Sequence, residues 1–292
     1  MSLTLTKLPF GTTLARQMAK QNLTRFNHVF WVGERGYDHL EAGFPNIVFP
    51  PYAPDLHGLY TSDADWRAAV AEHQIWTRQY ILVSAASLLE VYLSSAARSA
   101  LTAHPELIDS VWSGMDGYLF VMGKQAPPTG WNRKLKDKVA TFTKGLWVNR
   151  LAQLAAVFGP LPAKAMALEP ALQKLQDTRN DIAHEFGLDG PTRLAQWEPL
   201  KHIELTREDC ETAIKVVSAF IAAVDKPVFG PLIGGHEILF QYHLWAQSEP
   251  KASSWHVAGR AAGLFRDHIG GMTSTALGAS YATSIANYYH KL

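Results

Sequence analysis

One cysteine, Cys210, stands in 292 residues. No disulfide can close within the chain, and the composition suits a reducing compartment, with the cytoplasm as the expected location. Nor is there an excess of charge: 27 Lys and Arg against 26 Asp and Glu give a formal net charge of +1. That balance excludes a surface that grips polyanions everywhere and leaves room only for a local basic patch. No run approaches the roughly eighteen uncharged apolar residues of a membrane span, and the N-terminal MSLTLTKLPFGTTLARQMAK lacks the long apolar centre of a secretory signal. A soluble chain with no membrane contact is therefore expected.

Several chemistries lack their sequence signatures as well. There is no Gly-rich phosphate loop ending in Lys-Ser/Thr, no GxGxxG and no nucleophile elbow around any serine. The 12 histidines show none of the close pairing of a zinc site, and IGGHE, ending at Glu237, has no second histidine at the required turn. No metal and no cofactor are expected. Cys210 reads as a small buried residue.

What is present is helical pattern. Residues 1–61 form an arm, largely irregular, with a short helix near 12–27 followed by FPNIVFPPYAPDLHG, whose prolines oppose a continuous helix. From Ser62 a long helix of roughly ten turns is expected, with an acidic first turn, no Gly or Pro, and Trp66, Val70, Tyr80, Leu88 and Val91 on one side. Trp66, Trp76 and Tyr80 read as core. A short helix at 106–113 lies between loops. Further helices are expected at 133–158, from Pro170 to Gly187, and from Thr206, where the hydroxyl and Asp209 suit a reciprocal cap, onward through Ala213, Val217, Phe220 and Val224. Residues 62–226 thus make a four-helix core, and 227–292 a helical extension rich in small residues. The fold class is all-α.

The third core helix carries the chemistry. Leu168, Leu172, Leu175, Ile182 and Phe186 form its apolar stripe, and Arg179 stands where the pattern asks for leucine. A buried guanidinium needs an acidic or anionic partner. Asp177, Asn180 and His184 share a neighbouring polar face, with Asn180 and His184 one turn apart. At about 100° per residue, Arg179 and His184 diverge by roughly 140°. Either the arginine bends round, or the helix unwinds, or a second subunit completes the geometry.

Arg179, Asn180, three residues and then His184, in the wording RNDIAHE on the third long helix of an all-α bundle, resembles the signature of the HEPN superfamily. LLEVYLSS in the first long helix, with Glu90 among apolar neighbours, is also similar to that family's first helix, and the likeness covers about residues 62–225. It implies a HEPN-like bundle and metal-independent RNA cleavage. The implied catalytic residues are Arg179, Asn180 and His184, with Glu90 and Asp177 in support. Histidine exchanges protons near neutral pH, whereas arginine holds its charge against that growing on a phosphate. With the ribose 2′-hydroxyl as nucleophile, DNA is inert, and the products are a 2′,3′-cyclic phosphate and a 5′-hydroxyl. The resemblance also implies a homodimer, a toxin or antiviral-defence setting, and an antitoxin or regulatory partner.

Structural roles compete with these. Arg179 can pair with Glu90, which reads as structural rather than catalytic, His184 can sit against a helix C-terminal dipole, and Asp177 and Asp181 can be simply solvated. The alternative function is a catalytically silent module that dimerises or binds a nucleotide or partner protein. A second candidate region is WNRKLKDKVATFTKGLWVNR. Its cations Arg133, Lys134, Lys136, Lys138, Lys144 and Arg150 stand against Asp137 alone, beside Trp131 and Trp147. Basic side chains next to aromatics suit single-stranded RNA; the competing reading is a solvated helix face with its tryptophans in the core.

Overall fold

The computed structural model describes residues 8–43, 63–185, 203–248, 258–273 and 275–291. Among these there is no strand, and the protein is all-α. In chain order the helices are α1 (Leu14–Gly43), α2 (Asp63–Ala103), α3 (Gly117–Val121), α4 (Trp131–Thr143), α5 (Trp147–Phe158), α6 (Ala163–Met166), α7 (Glu169–Glu185), α8 (Arg207–Val224), α9 (Gly230–Ile233), α10 (His236–Ser248), α11 (Ala258–Gly270) and α12 (Ala279–Lys291).

Two compact units result, and they cut across the linear order of arm, core and extension. One gathers residues 1–22, 88–173 and 218–292; the other gathers 23–87 and 174–217. The helices α1, α2, α7 and α8 each contribute residues to both. In the larger unit, Ile238, Tyr242 and Trp245 of α10, Phe265 and Ile269 of α11, and Ile285 of α12 share a core with Leu14 and Met122. Phe158, Phe229 and Tyr92 add edge-on aromatic contacts, with ring centroids 5.2 and 6.2 Å apart. In the smaller unit, Phe30, Ile81 and Cys210 form a core flanked by Phe26, Trp31 and Ile214.

Several expectations hold. The helix α2 is the uninterrupted long helix, and the buried residues of α8 include Ala213, Val217, Phe220 and Val224. The cap of α8 is reciprocal: Thr206 N–H and Oγ1–H donate to Asp209 Oδ2 at 3.0 and 2.8 Å, and Asp209 N–H donates to Thr206 Oγ1 at 3.1 Å. This satisfies donors that the first turn of a helix otherwise leaves open.

Others are corrected. The helix expected over 12–27 runs to Gly43 in spite of Gly33 and Gly36. Tertiary contacts through fully buried Phe30 and nearly buried Glu34 override the weak propensity of that stretch. The helix expected over 133–158 is two, because Gly145 adopts φ +84° between α4 and α5, a conformation that ends a helix. The short helix at 106–113 is a pair of 3₁₀ turns, Pro105–Leu107 and Ser110–Trp112.

The expected face of α2 holds only in part: Leu88 is buried and Trp66 and Val70 are half-buried, but Tyr80 is 62% and Val91 60% exposed, and Trp76, expected in the core, is 42% exposed, whereas Ile81, Ala85, Leu89, Tyr92 and Ala96 are buried. Apolar residues surround so much of this helix that periodicity cannot single out the side that packs. By length and composition alone, α2 and the continuous helix Arg207–Ile233 are apolar enough to cross a membrane, with 44% and 50% of their most apolar windows buried within the protein. Neither is free of charge, since they carry Glu90 and Asp225.

Gly117 opens α3 against the end of α2, where an added Cβ would lie 1.8 Å from the Thr102 carbonyl oxygen. Backbone cannot yield as a flexible side chain does. Gly117→Ala is therefore expected to lower stability by about 3 kcal/mol, whereas Gly114→Ala, with open space around it, should change it by less than about 1 kcal/mol. Urea unfolding of the two variants measures the contrast.

Candidate functional site

The residues of the RNDIAHE motif lie on α7. Leu172, Leu175 and Ile182 are buried as the stripe predicts, and Arg179 and Asn180 are half-buried beside it. Arg179 Nη1–H donates to Asn180 Oδ1 at 3.0 Å. The long side chain therefore bends off its own radial direction toward the face of Asn180. Asp177 and Asp181 are exposed. The backbone of His184 continues α7 one turn beyond Asn180; its side chain, Phe186 and the terminating Gly187 lie outside the described residues.

Glu90 belongs to the other unit. There its carboxylate lies 3.7 Å from the guanidinium of Arg150, whose side chain is only 4% exposed. Arg150 also donates to the Gly145 carbonyl at 2.9 Å and lies over the Trp147 ring at 4.9 Å. This is a buried structural node that fixes the α4–α5 turn, so Arg150 is withdrawn from the basic stretch. Trp131 and Trp147 are 7% and 3% exposed, and the tryptophans pack inward, as the core reading holds. Lys134 pairs with Asp109 and lies 5.0 Å over the Trp112 ring. Arg133, Lys136 and Lys144 remain exposed, and Lys138 is half-buried.

Two charged clusters escaped the sequence reading. In the smaller unit, Glu34 accepts hydrogen bonds from Arg78 at 2.8 Å and Arg207 at 2.9 Å, and Arg207 reaches on to Asp38 at 2.7 Å. Burial pushes the Glu34 carboxyl up, but the two guanidiniums outweigh it and hold it below its ordinary value. Arg78 also donates to the Leu205 carbonyl at 3.1 Å. Beside this node lies an open cleft of about 540 Å³ between Ala71–Arg78 of α2 and Glu204–Glu208 at the start of α8. The nearby Cys210 thiol is pushed up to about 12 by burial, which makes it a poor nucleophile.

In the larger unit, the first turn of α1 rests on two buried acids. Thr13 N–H and Oγ1–H donate to the carboxylate of Asp225, and Leu14 N–H donates to Glu237 Oε2. Tyr92 O–H donates to Asp225 at 3.1 Å, Ser99 O–H to Glu237 at 3.2 Å, and Arg16 lies 3.8 Å from Asp225. Asp225 opens a π-helical turn, Asp225–Phe229, in which Pro227 lacks an N–H to give to the regular ladder. Burial, reinforced by the charge of Asp225, pushes Glu237 up to about 7 against the hydrogen bonds that favour its ionised form. Next to it, His236 is 3% exposed, sits edge-on to Tyr118 at 5.4 Å, and is pushed down to about 4 by burial. The available signal was an acid interrupting the apolar run VVSAFIAAVDKPVFGPLIGG, followed at once by His236 and Glu237.

Among the described residues no group of three or more His, Cys, Asp or Glu side chains is placed to hold a metal ion. No family model, no curated protein and no solved structure matches the chain.

Glu237 and Glu34 give opposite pH signatures. Glu237 is raised from 4.5 to about 7. Its contribution is therefore fully present below about pH 4.5 and lost as pH climbs through about 7, a swing on the order of 3 kcal/mol. Glu237→Gln removes the swing, so the wild type should lose ground to this variant between pH 4.5 and 8 in urea melts. Glu34, lowered instead, contributes stability above the ordinary carboxylate range and loses it on acidification. Glu34→Ala is expected to cost about 3 kcal/mol at neutral pH by leaving two guanidiniums half-buried without their shared partner.

Proposed function

We propose that the chain is a HEPN-type, metal-independent endoribonuclease that acts as a homodimer in the cytoplasm. Its site is built on α7 from Arg179, Asn180 and His184, with Asp177 in a supporting position. The observation that carries this reading is the 3.0 Å hydrogen bond from Arg179 to Asn180. It turns a permanent positive charge toward the helix face on which a proton-exchanging histidine follows one turn later. Sequence position alone sets positions 179 and 184 roughly 140° apart on the helix, and the lean toward Asn180 works against that divergence.

The chemistry follows from these residue types. The ribose 2′-oxygen attacks the adjacent phosphorus, the P–O2′ bond forms and the P–O5′ bond breaks. The proton of the 2′-hydroxyl is taken up by an imidazole, and the leaving 5′-oxygen receives one. One His184 serves one of these transfers at a time, and the second copy in a dimer supplies the other. Arg179 holds the charge that accumulates on the non-bridging oxygens, and Asn180 fixes the guanidinium. A toxin or antiviral-defence role, restrained by an antitoxin or regulatory protein, is the setting that suits such an activity.

Incubating the purified chain with mixed RNA in EDTA tests the reading. Cleavage is expected to leave 2′,3′-cyclic phosphate and 5′-hydroxyl ends, and to stop when the nucleotide 5′ to the scissile bond is 2′-deoxy. His184→Ala should slow it by about 10²–10⁴-fold. Arg179→Ala should be comparably impaired and Arg179→Lys should not restore it, because an ammonium lacks the planar fork. Inactivity on diverse RNAs by a folded, dimeric chain overturns the proposal in favour of a catalytically silent dimerisation, nucleotide- or partner-binding module.

A further inference from the structure

We infer that the exposed face of α4 is the surface that holds RNA, and that it grips phosphates without reading bases; this rests on the ribonuclease reading above. The fold leaves positive charge on this face unanswered. Of the six cations in and after α4, Arg150 is buried against Glu90 and Lys134 is engaged by Asp109 and Trp112. Arg133, Lys136 and Lys144 are exposed, and among the described residues none of the three makes an ion pair. By helical arithmetic Arg133 and Lys136 lie about 60° apart on α4, and Lys144 follows at the C-cap, about 16 Å along from Arg133. The exposed Asp137 flanks them and leaves the face with a net positive charge.

Two of the cations, Arg133 and Lys134, stand in the first turn of α4, at the positive end of its dipole, where no acid offsets them.

Burial of the neighbouring rings fixes the mode of contact. Trp131, Phe142 and Trp147 are buried, so the face offers no ring on which a base can stack. What remains suits the sugar–phosphate backbone, which positions RNA without carrying sequence information.

The test is fluorescence anisotropy with a labelled single-stranded RNA of mixed sequence, 2′-O-methylated so that it is not consumed, over about 50–200 mM salt. Arg133→Ala/Lys136→Ala/Lys144→Ala should make the slope of log K against log salt shallower by about 2, at roughly 0.7 for each lost phosphate contact, and weaken binding by about 50-fold near 0.15 M salt. Lys136→Glu alone should weaken binding further than Lys136→Ala. Arg25→Ala/Arg260→Ala/Lys291→Ala removes the same charge elsewhere and should leave the slope unchanged. Circular dichroism confirms that each variant is folded.

An unchanged slope in the α4 variant, equal loss in the control variant, affinity governed by base identity, or no salt-dependent binding by the wild type overturns the inference. Cleavage is not read in this assay, so the two ideas fail separately. A chain that binds through α4 and never cuts loses only the nuclease reading. A chain that cuts while the α4 variant binds as before loses only this one.

Discussion

The N-terminal turn of α1 sets on Asp225 and Glu237, two acids more than two hundred residues further along the chain, and much of the larger unit depends on that junction. A helix start presents N–H groups with no partner in the helix, and its dipole adds partial positive charge. Burying that end without acceptors is costly, and so is burying two carboxylates without donors. Each therefore makes the other tolerable, and Tyr92, Ser99 and Arg16 supply the remaining contacts. The junction ties the start of the chain to α2, to the π turn around Pro227 and to α10. The exchange is incomplete at Glu237: burial, with the charge of Asp225 added, outweighs its backbone and hydroxyl donors and pushes its carboxyl up to about 7.

The smaller unit solves the same problem with opposite electrostatics. Two guanidiniums hydrogen-bond Glu34 directly, and its carboxyl is held down rather than pushed up. Burial acts upward on both acids; at Glu34 full positive charges outweigh it, whereas Glu237 is met by dipoles and the negative charge of Asp225. Glu34 also explains why α1 stays helical past two glycines, since its partners Arg78 and Arg207 stand on α2 and α8.

Arg179 interrupts an apolar stripe, and Arg133 and Lys134 sit at the positive end of the α4 dipole. Glu90 and Arg150 instead secure the turn between α4 and α5, and the tryptophans beside the basic stretch fill the interior.

Part of this was legible from neighbouring residues. The all-α class, the long helix from Asp63, the reciprocal cap at Thr206 and Asp209, the buried stripe of α7 and the anomaly of Arg179 within it all arise from interactions within a few residues, and periodicity and capping record such interactions directly. The extension of α1 to Gly43, the side of α2 that packs, the fate of each cation and the pairing of the α1 terminus with Asp225 and Glu237 were settled only in three dimensions. A buried charge needs a partner, but its own segment does not say which one, because the partner is chosen by whichever distant helix the packing of apolar surface brings alongside.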